Sequence, residues 1–260
     1  MKTSSFILAL CALITLGACS KQESNRTETP STSLEPALVW QTSVLGTSFF
    51  ENQQKVSHYN FDKNAIQQAL KDTEVKNFRF VLGLKNDQIE VNMLAVDNQG
   101  TTSATVASTT FSDSGNYQSA INGLKNNTSS YSKARLTTPV VGPHLLSYQA
   151  TFNYVDQWNK ALASQDIEDM ISYSGVRYRH YSLEQEVIRD MIADANVESI
   201  ALFWGLNTNN ELTTVLFKKD RNNNLILNTD SNSNSNSESY VANGDILDFT
   251  APCPNTCDPK

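Results

Sequence analysis

Histidine is scarce in this chain, three in 260 residues, and two of the three stand directly before a tyrosine: His58-Tyr59 and His180-Tyr181. An imidazole titrates close to neutrality and serves as a general base or a metal ligand, so these four residues are the first candidates for chemistry. Cys253 and Cys257 would complete a Cys2His2 zinc set by residue type. The ligands would come from remote parts of the chain, however, and their spacing matches no zinc signature. A catalytic site needs a nucleophile, a base and an orienting group together. No serine lies in a G-x-S-x-G elbow or a partnered S-x-x-K motif, and no glycine-rich stretch leads into a helix as a phosphate loop does. No catalytic residue, metal site or cofactor is therefore assigned, and His58, His180, Tyr59 and Tyr181 stand as candidate functional residues.

The two His-Tyr pairs are corresponding positions of an internal repeat. His58–Leu84 (HYNFDKNAIQQALKDTEVKNFRFVLGL) aligns without a gap on His180–Leu206 (HYSLEQEVIRDMIADANVESIALFWGL), a shift of 122 from His58 to His180. The identical pairs are His58/His180, Tyr59/Tyr181, Ile66/Ile188, Asp72/Asp194, Val75/Val197, Gly83/Gly205 and Leu84/Leu206. What two copies share is most simply scaffold. On that reading each His-Tyr is the entry corner of a helix, the imidazole bonding a backbone carbonyl and the phenol covering the core edge. Gly83 and Gly205 then end strands where the chain turns. Asp97 and Asp220 sit at equivalent turns, where turn capping suits the neighbouring residues better than a calcium loop. Phe203, Trp204 and Tyr178 suit a core better than a glycan cleft.

The elements that would position these residues follow from periodicity. Asn60 and Ser182 precede apolar helical patterns and suit N-caps, with Ser182 and Gln185 forming a capping box. One helix presents Phe61, Ala65, Ile66, Ala69 and Leu70 on a face; the other presents Leu183, Val187, Ile188, Met191 and Ile192. Strands are expected over 77–84 and 88–96, and again over 199–206 and 211–218. Further helices are expected at 38–50 and at 144–162, with a short continuation past Ser164. Part of 104–110 reads as strand, 228–238 as a polar low-complexity loop, and 246–249 as a last strand. The fold class is α+β: two related modules, at 37–138 and 139–260, each a helix packed on a small, mainly antiparallel sheet.

The chain opens with Lys2 and an apolar run, Phe6–Leu16, which is too short to span a bilayer comfortably. Leu16-Gly17-Ala18-Cys19 resembles a lipobox, and the resemblance implies cleavage after residue 18 with lipid on Cys19. Residues 19–36, rich in Ser, Thr, Glu and Pro, read as a flexible tether. In an exported protein the nearby Cys253 and Cys257 are expected to form a disulfide. A net charge of −7 with a pI near 5.0 argues against a nucleic-acid partner.

The Gly-Leu strand endings, the strand leading into the Asp turn (MLAVDNQG) and the ending DFTAPCPNTCD resemble a group of Bacteroidota envelope lipoproteins with no established activity. The resemblance covers most of the chain after the signal. It implies a bacterial envelope address, lipid-anchored at the outer membrane, and supplies no catalytic residue; the Asn/Ser tract departs from it. The expected function is a non-enzymatic binding or structural module, with the membrane as one partner through the lipid and an envelope protein or glycan as another. The alternatives are a hydrolase or metal-dependent enzyme using His58 or His180 between modules, and an accessory subunit of an envelope complex.

Overall fold

A computed structural model describes residues 34–112, 116–127, 138–227 and 245–248, and the backbone of 252–253. The signal segment, Cys19, most of the tether, the Asn/Ser tract and Cys257 lie outside the described residues.

Two short helices open the fold, α1 (Leu34–Thr42) and α2 (Thr47–Gln53). The folded part thus starts slightly ahead of residue 37. Pro36 is tolerated in the first turn of α1, where backbone N–H groups have no intrahelical partner. Trp40 anchors α1 by burying its indole, whose Nε1 donates to the Tyr178 carbonyl at 2.7 Å.

Each repeat then runs strand, helix, strand, strand. In the first copy these are β1 (Val56–Asp62), α3 (Lys63–Ala69), β2 (Asn77–Lys85) and β3 (Gln88–Val96), followed by β4 (Thr102–Ala107) and β5 (Thr109–Ser112). Next come α4 (Asn116–Gly123), continued by a 3-10 turn over Leu124–Asn126, and the long α5 (Tyr148–Ser164). After a small hairpin of β6 (Ser172–Tyr173) and β7 (Val176–Arg177), the second copy gives β8 (His180–Glu184), α6 (Gln185–Ala193), β9 (Ser199–Leu206) and β10 (Leu212–Lys219). Two-residue strands β11 (Leu247–Asp248) and β12 (Pro252–Cys253) complete the described chain. Past Ser164 there is no helical continuation: Gln165 adopts φ 58° and ends α5 in a left-handed cap.

The His-Tyr pairs are not helix corners. Both lie in strands, and the helices start later, with Asp62 and Glu184 as the N-caps. Asp62 Oδ1 accepts from the Ala65 N–H at 2.9 Å, whereas Glu184 makes no side-chain cap bond. Asn60 and Ser182 are held in ladders that run on to Asp62↔Ser199 and Asn77↔Glu184. Strand pairing there satisfies the backbone groups that a cap would have served. Phe61 and Leu183 accordingly point into the core from strands rather than helices.

Among the described residues all strand pairing is antiparallel, and the α+β class holds. The order is β11-β10-β9-β1-β5 in one five-stranded sheet (sheet A) and β12-β8-β2-β3-β4 in the other (sheet B). Residue 138 therefore does not divide two modules: β1 of the first copy pairs with β9 of the second, and β8 of the second pairs with β2 of the first. The exchange is reciprocal in register. Tyr59↔Leu202 in sheet A matches Tyr181↔Phe80 in sheet B at the same 122-residue shift (80 to 202). All described residues belong to one compact unit, from Thr32 onward.

The sheets share one core. Phe61 of sheet A meets Phe80 of sheet B edge-on at 5.4 Å, and Tyr181 of sheet B lies 5.8 Å from Trp204 of sheet A. Ile66 and Ala69 of α3, with Val187, Ile188, Met191 and Ile192 of α6, bury their apolar face in the same core. Neither helix is long enough to persist in water without it.

Candidate functional site

Strand alternation sends the two residues of each His-Tyr pair to opposite sides. The tyrosines face the shared core. Tyr59 Oη donates to the Ile89 carbonyl at 2.8 Å, and Tyr181 Oη donates to the Leu212 carbonyl at 2.6 Å. Each phenol crosses from its own sheet to the other, at positions that correspond between copies. Both are completely buried, and burial pushes both phenols well above the ordinary tyrosine pKa. They bolt the sheets together.

The histidines face outward and meet different surroundings. His58, fully buried, stacks between Phe111 (4.8 Å) and Phe203 (4.9 Å), with Tyr117 edge-on at 4.4 Å. Lys219 Nζ lies 3.1 Å from His58 Nε2 and 4.2 Å over the Phe111 ring. Burial first, and the neighbouring Lys219 charge second, lower the His58 pKa to about 3. Burial likewise lowers Lys219 to about 8. A neutral imidazole therefore accepts from the ammonium inside an aromatic box. Both side chains lack solvent access, so this pair is structural.

His180, by contrast, lines a groove of about 620 Å³ on the outer face of sheet B. Its floor comes from alternate residues of neighbouring strands: Arg79 and Val81 of β2, Asn92 and Leu94 of β3, with His180 of β8 at one side. Arg179, just before β8, adds a second guanidinium. Pro36, Leu38 and Gln41 of α1 form a wall, on which Leu38 is 65% exposed. Glu90 lies at the rim, paired with Lys85 at 3.5 Å. The Arg79 guanidinium rests against Gly100, within 3.0 Å of where a Cβ would stand. Among the described lining residues there is no hydroxyl or thiol.

The corresponding face of sheet A is closed. At the same shifts Ala201 replaces Arg79, Phe203 replaces Val81, Val215 replaces Asn92 and Phe217 replaces Leu94. These pack with Tyr117, Ile121 and Leu124 of α4 and its 3-10 extension, and with Tyr148 and Val155 of α5. Every residue of β9 and β10 is buried, whereas β2 and β3 alternate between buried and half-exposed over most of their length.

The shared glycines explain the common wall of both faces. Gly83 and Gly205 lie inside β2 and β9 rather than ending them at a turn. A Cβ on Gly83 would stand 2.7 Å from Pro36 of α1, and one on Gly205 would stand 2.9 Å from Tyr154 of α5. In each copy the missing side chain lets a helix backbone lie on the strand. Arg177 then locks α1 in place, with paired bonds to Glu168 (2.8 and 2.7 Å) and one to the Trp40 carbonyl at 2.6 Å.

The other sequence candidates resolve into structure. Asp97 Oδ1 accepts from the N–H groups of Gln99 and Thr101, each at 2.8 Å, and Asp220 Oδ1 accepts from those of Asn222 and Asn224, each at 2.8 Å. Hydrogen bonding from Thr101 lowers the Asp97 pKa. At Asp220 a desolvation effect that raises the pKa is outweighed by the Asn224 bonds, and the net shift is again downward. Phe203, Trp204 and Tyr178 are core residues. Among the described residues no three His, Cys, Asp or Glu side chains gather as a metal site, and no helix is long and apolar enough to cross a membrane. His58 and His180 belong to different sheets and do not share a site. The backbone of Cys253 pairs with His180 across β12 and β8; its expected bond to Cys257 lies outside the described residues.

Sequence reasoning missed Arg79, Val81, Asn92, Leu94 and Arg179. Part of their signal was present: NFRFVLGL alternates at its start, while its counterpart SIALFWGL is nearly continuous in apolar character. That contrast marks one strand with a single covered face and one with two. Comparison with protein-family models, with curated proteins and with solved structures finds no match to this chain.

Proposed function

We propose that this protein is a non-enzymatic binding module of the bacterial envelope, held to the membrane by lipid on Cys19, and that it takes its ligand in the groove on sheet B. One observation carries the reading: two copies of one unit bury the same sheet face in one case and leave it as a polar-edged cleft in the other. Burying this face is within the reach of the fold, since sheet A does so. A surface that keeps Val81, Leu94 and Leu38 accessible is suited to contact with an apolar ligand. The resemblance to Bacteroidota lipoproteins supports the address.

The apolar anion 1-anilinonaphthalene-8-sulfonate tests the groove. We expect saturable binding at one site, lost when Val81→Phe and Leu94→Phe install the side chains of the closed face. Absence of saturable binding, or binding that survives both changes, would overturn the reading. For the address, Cys19→Ser is expected to release the protein from the membrane fraction; continued retention would refute lipid anchoring there.

A further inference from the structure

Apolar side chains left in water gather in one place on this molecule. Among the described residues five large apolar side chains are exposed, and four of them are Leu38 and Val39 of α1, Val44 just after it, and Tyr173 of the β6–β7 hairpin. Val44 is 94% exposed and Tyr173 61%. The helix and the hairpin are bonded into one surface. Trp40 Nε1 donates to the Tyr178 carbonyl, Gln41 Nε2 donates to the Arg177 carbonyl at 3.1 Å, and Arg177 Nη1 donates back to the Trp40 carbonyl. Val44 and Gly175, at the hairpin tip, line the same cleft. Single exposed apolar residues are ordinary, but a group of them on elements fixed to one another marks a contact surface.

What this surface meets follows from the chain ahead of it. Fourteen residues, 20–33, separate Cys19 from Leu34 at the start of α1. A flexible chain of that length spans about 20 Å between its ends. Lipid on Cys19 therefore presents α1 to the bilayer at an effective concentration on the order of millimolar, where even weak apolar contacts are populated. The charges beside the surface are Glu35 on α1, with Asp166, Glu168 and Arg177 along the cleft, and Glu168 and Arg177 pair with each other at 2.7 Å. The remainder is acidic, which suits neutral headgroups and disfavours anionic ones.

We infer that Leu38, Val39, Val44 and Tyr173 form a membrane-contact face, laid on the zwitterionic surface of the bilayer that holds Cys19. The inference rests on the lipid-anchor reading above and adds the face of the fold that meets the bilayer. Side chains of this kind enter the headgroup boundary without spanning the bilayer. Tyrosine suits that depth, since its ring is apolar and its hydroxyl stays wet. The contact also orients the molecule: α1 walls the groove on sheet B, so the groove is held beside the bilayer.

The test holds the full mature chain on vesicles independently of the chemistry at Cys19. A hexahistidine in place of the lipid binds it to phosphatidylcholine vesicles through a nickel-chelating lipid, and brominated phosphatidylcholine in them quenches any tryptophan that enters the boundary. Trp40, Trp158 and Trp204 are buried to 3% exposure or less, and the unsubstituted protein supplies their background. Val44→Trp is expected to lose at least half of its added emission. Asn222→Trp is expected to lose none: the Leu212 N–H bonds to the Met170 carbonyl near the hairpin, and the length of β10 carries residue 222 about 25 Å away. Adding Leu38→Asp or Tyr173→Asp to Val44→Trp restores at least half of the lost emission, and circular dichroism establishes that each variant is folded. Phosphatidylglycerol in the vesicles weakens the quenching. Quenching of Val44→Trp no greater than that of Asn222→Trp, or indifferent to both aspartates, would overturn the inference. So would a dimer in solution that Leu38→Asp dissociates, with Val44→Trp unquenched on vesicles, since a second copy would then cover the face. Fractionation of Cys19→Ser reads the address separately, so the two failures are distinguishable.

Discussion

The three central strands of sheets A and B have the same order, the same register and matching cross-sheet tyrosines, yet one sheet is covered on both faces and the other leaves a cleft on one. The inner faces hardly differ in character. Tyr59 answers Tyr181, Phe80 answers Leu202, and Leu82 answers Trp204, each buried to 3% exposure or less. The outer faces differ at nearly every position. A duplicated fold thus contains its own control: positions required for folding stay alike, and positions released from that duty diverge. Had the histidines been catalytic partners they would share surroundings. Instead one is sealed with a lysine among aromatic rings, and the other lines a cleft.

The contrast can be broken by moving residues between faces. Ala201→Arg puts a guanidinium beneath the helices that cover sheet A. A buried charge without a partner is among the most damaging substitutions, so the expected loss is about 4 kcal/mol or more. The reciprocal Arg79→Ala is expected to cost no more than about 1 kcal/mol. Chemical denaturation of both variants checks the pair, and similar losses would mean that the outer faces are equally buried. Truncation gives the next effect. Phe203→Ala should cost about 3–4 kcal/mol, while Val81→Ala should cost about 1 kcal/mol.

Acid sharpens the comparison of the two histidines. A His58 whose pKa is lowered from 6.5 to about 3 favours the folded state above pH 6.5. The unfolded chain takes up the proton first as pH falls, so stability is lost between pH 6.5 and about 3. At pH 5 the loss from this group is about 2 kcal/mol. His58→Phe, which keeps a ring in the aromatic box, should flatten that limb of the stability profile. A profile unchanged by the substitution would place the imidazole in water. A further pair tests the symmetry itself: Tyr59→Phe and Tyr181→Phe each leave a buried carbonyl without its donor, at about 1–2 kcal/mol. Losses that differ by more than that range would show the two bolts to be unequal.

Much of the architecture could be read from the chain. The repeat, the α+β class, the paired strands at 77–96 and 199–219, the long helix within 144–162 and the Asp97 and Asp220 turns all have local causes: apolar period, turn chemistry, glycine and proline. The His-Tyr strands were misread as helix entries because Asn60, Asp62, Ser182 and Gln185 carry capping signals, whereas the edges that hold β1 and β8 in place lie in the other half of the chain. Gly83 and Gly205 looked like turn residues because the backbones that press on them, at Pro36 and Tyr154, are distant in sequence. The candidate site was missed for the same reason. Arg79 and Asn92 are unremarkable until the face they share is set beside Ala201 and Val215.

Sequence by itself determined that one unit was copied, which residues both copies keep, and where the paired strands of each copy lie. These are properties of spacing, set by the period of the backbone. Tertiary structure alone decided that the copies exchange their first strands, that each tyrosine bonds across to the opposite sheet, and that one outer face receives a second helix while its twin receives none among the described residues. Such outcomes depend on which surfaces find partners after the chain has closed on itself, and the free energy of that choice is spread over residues more than a hundred positions apart.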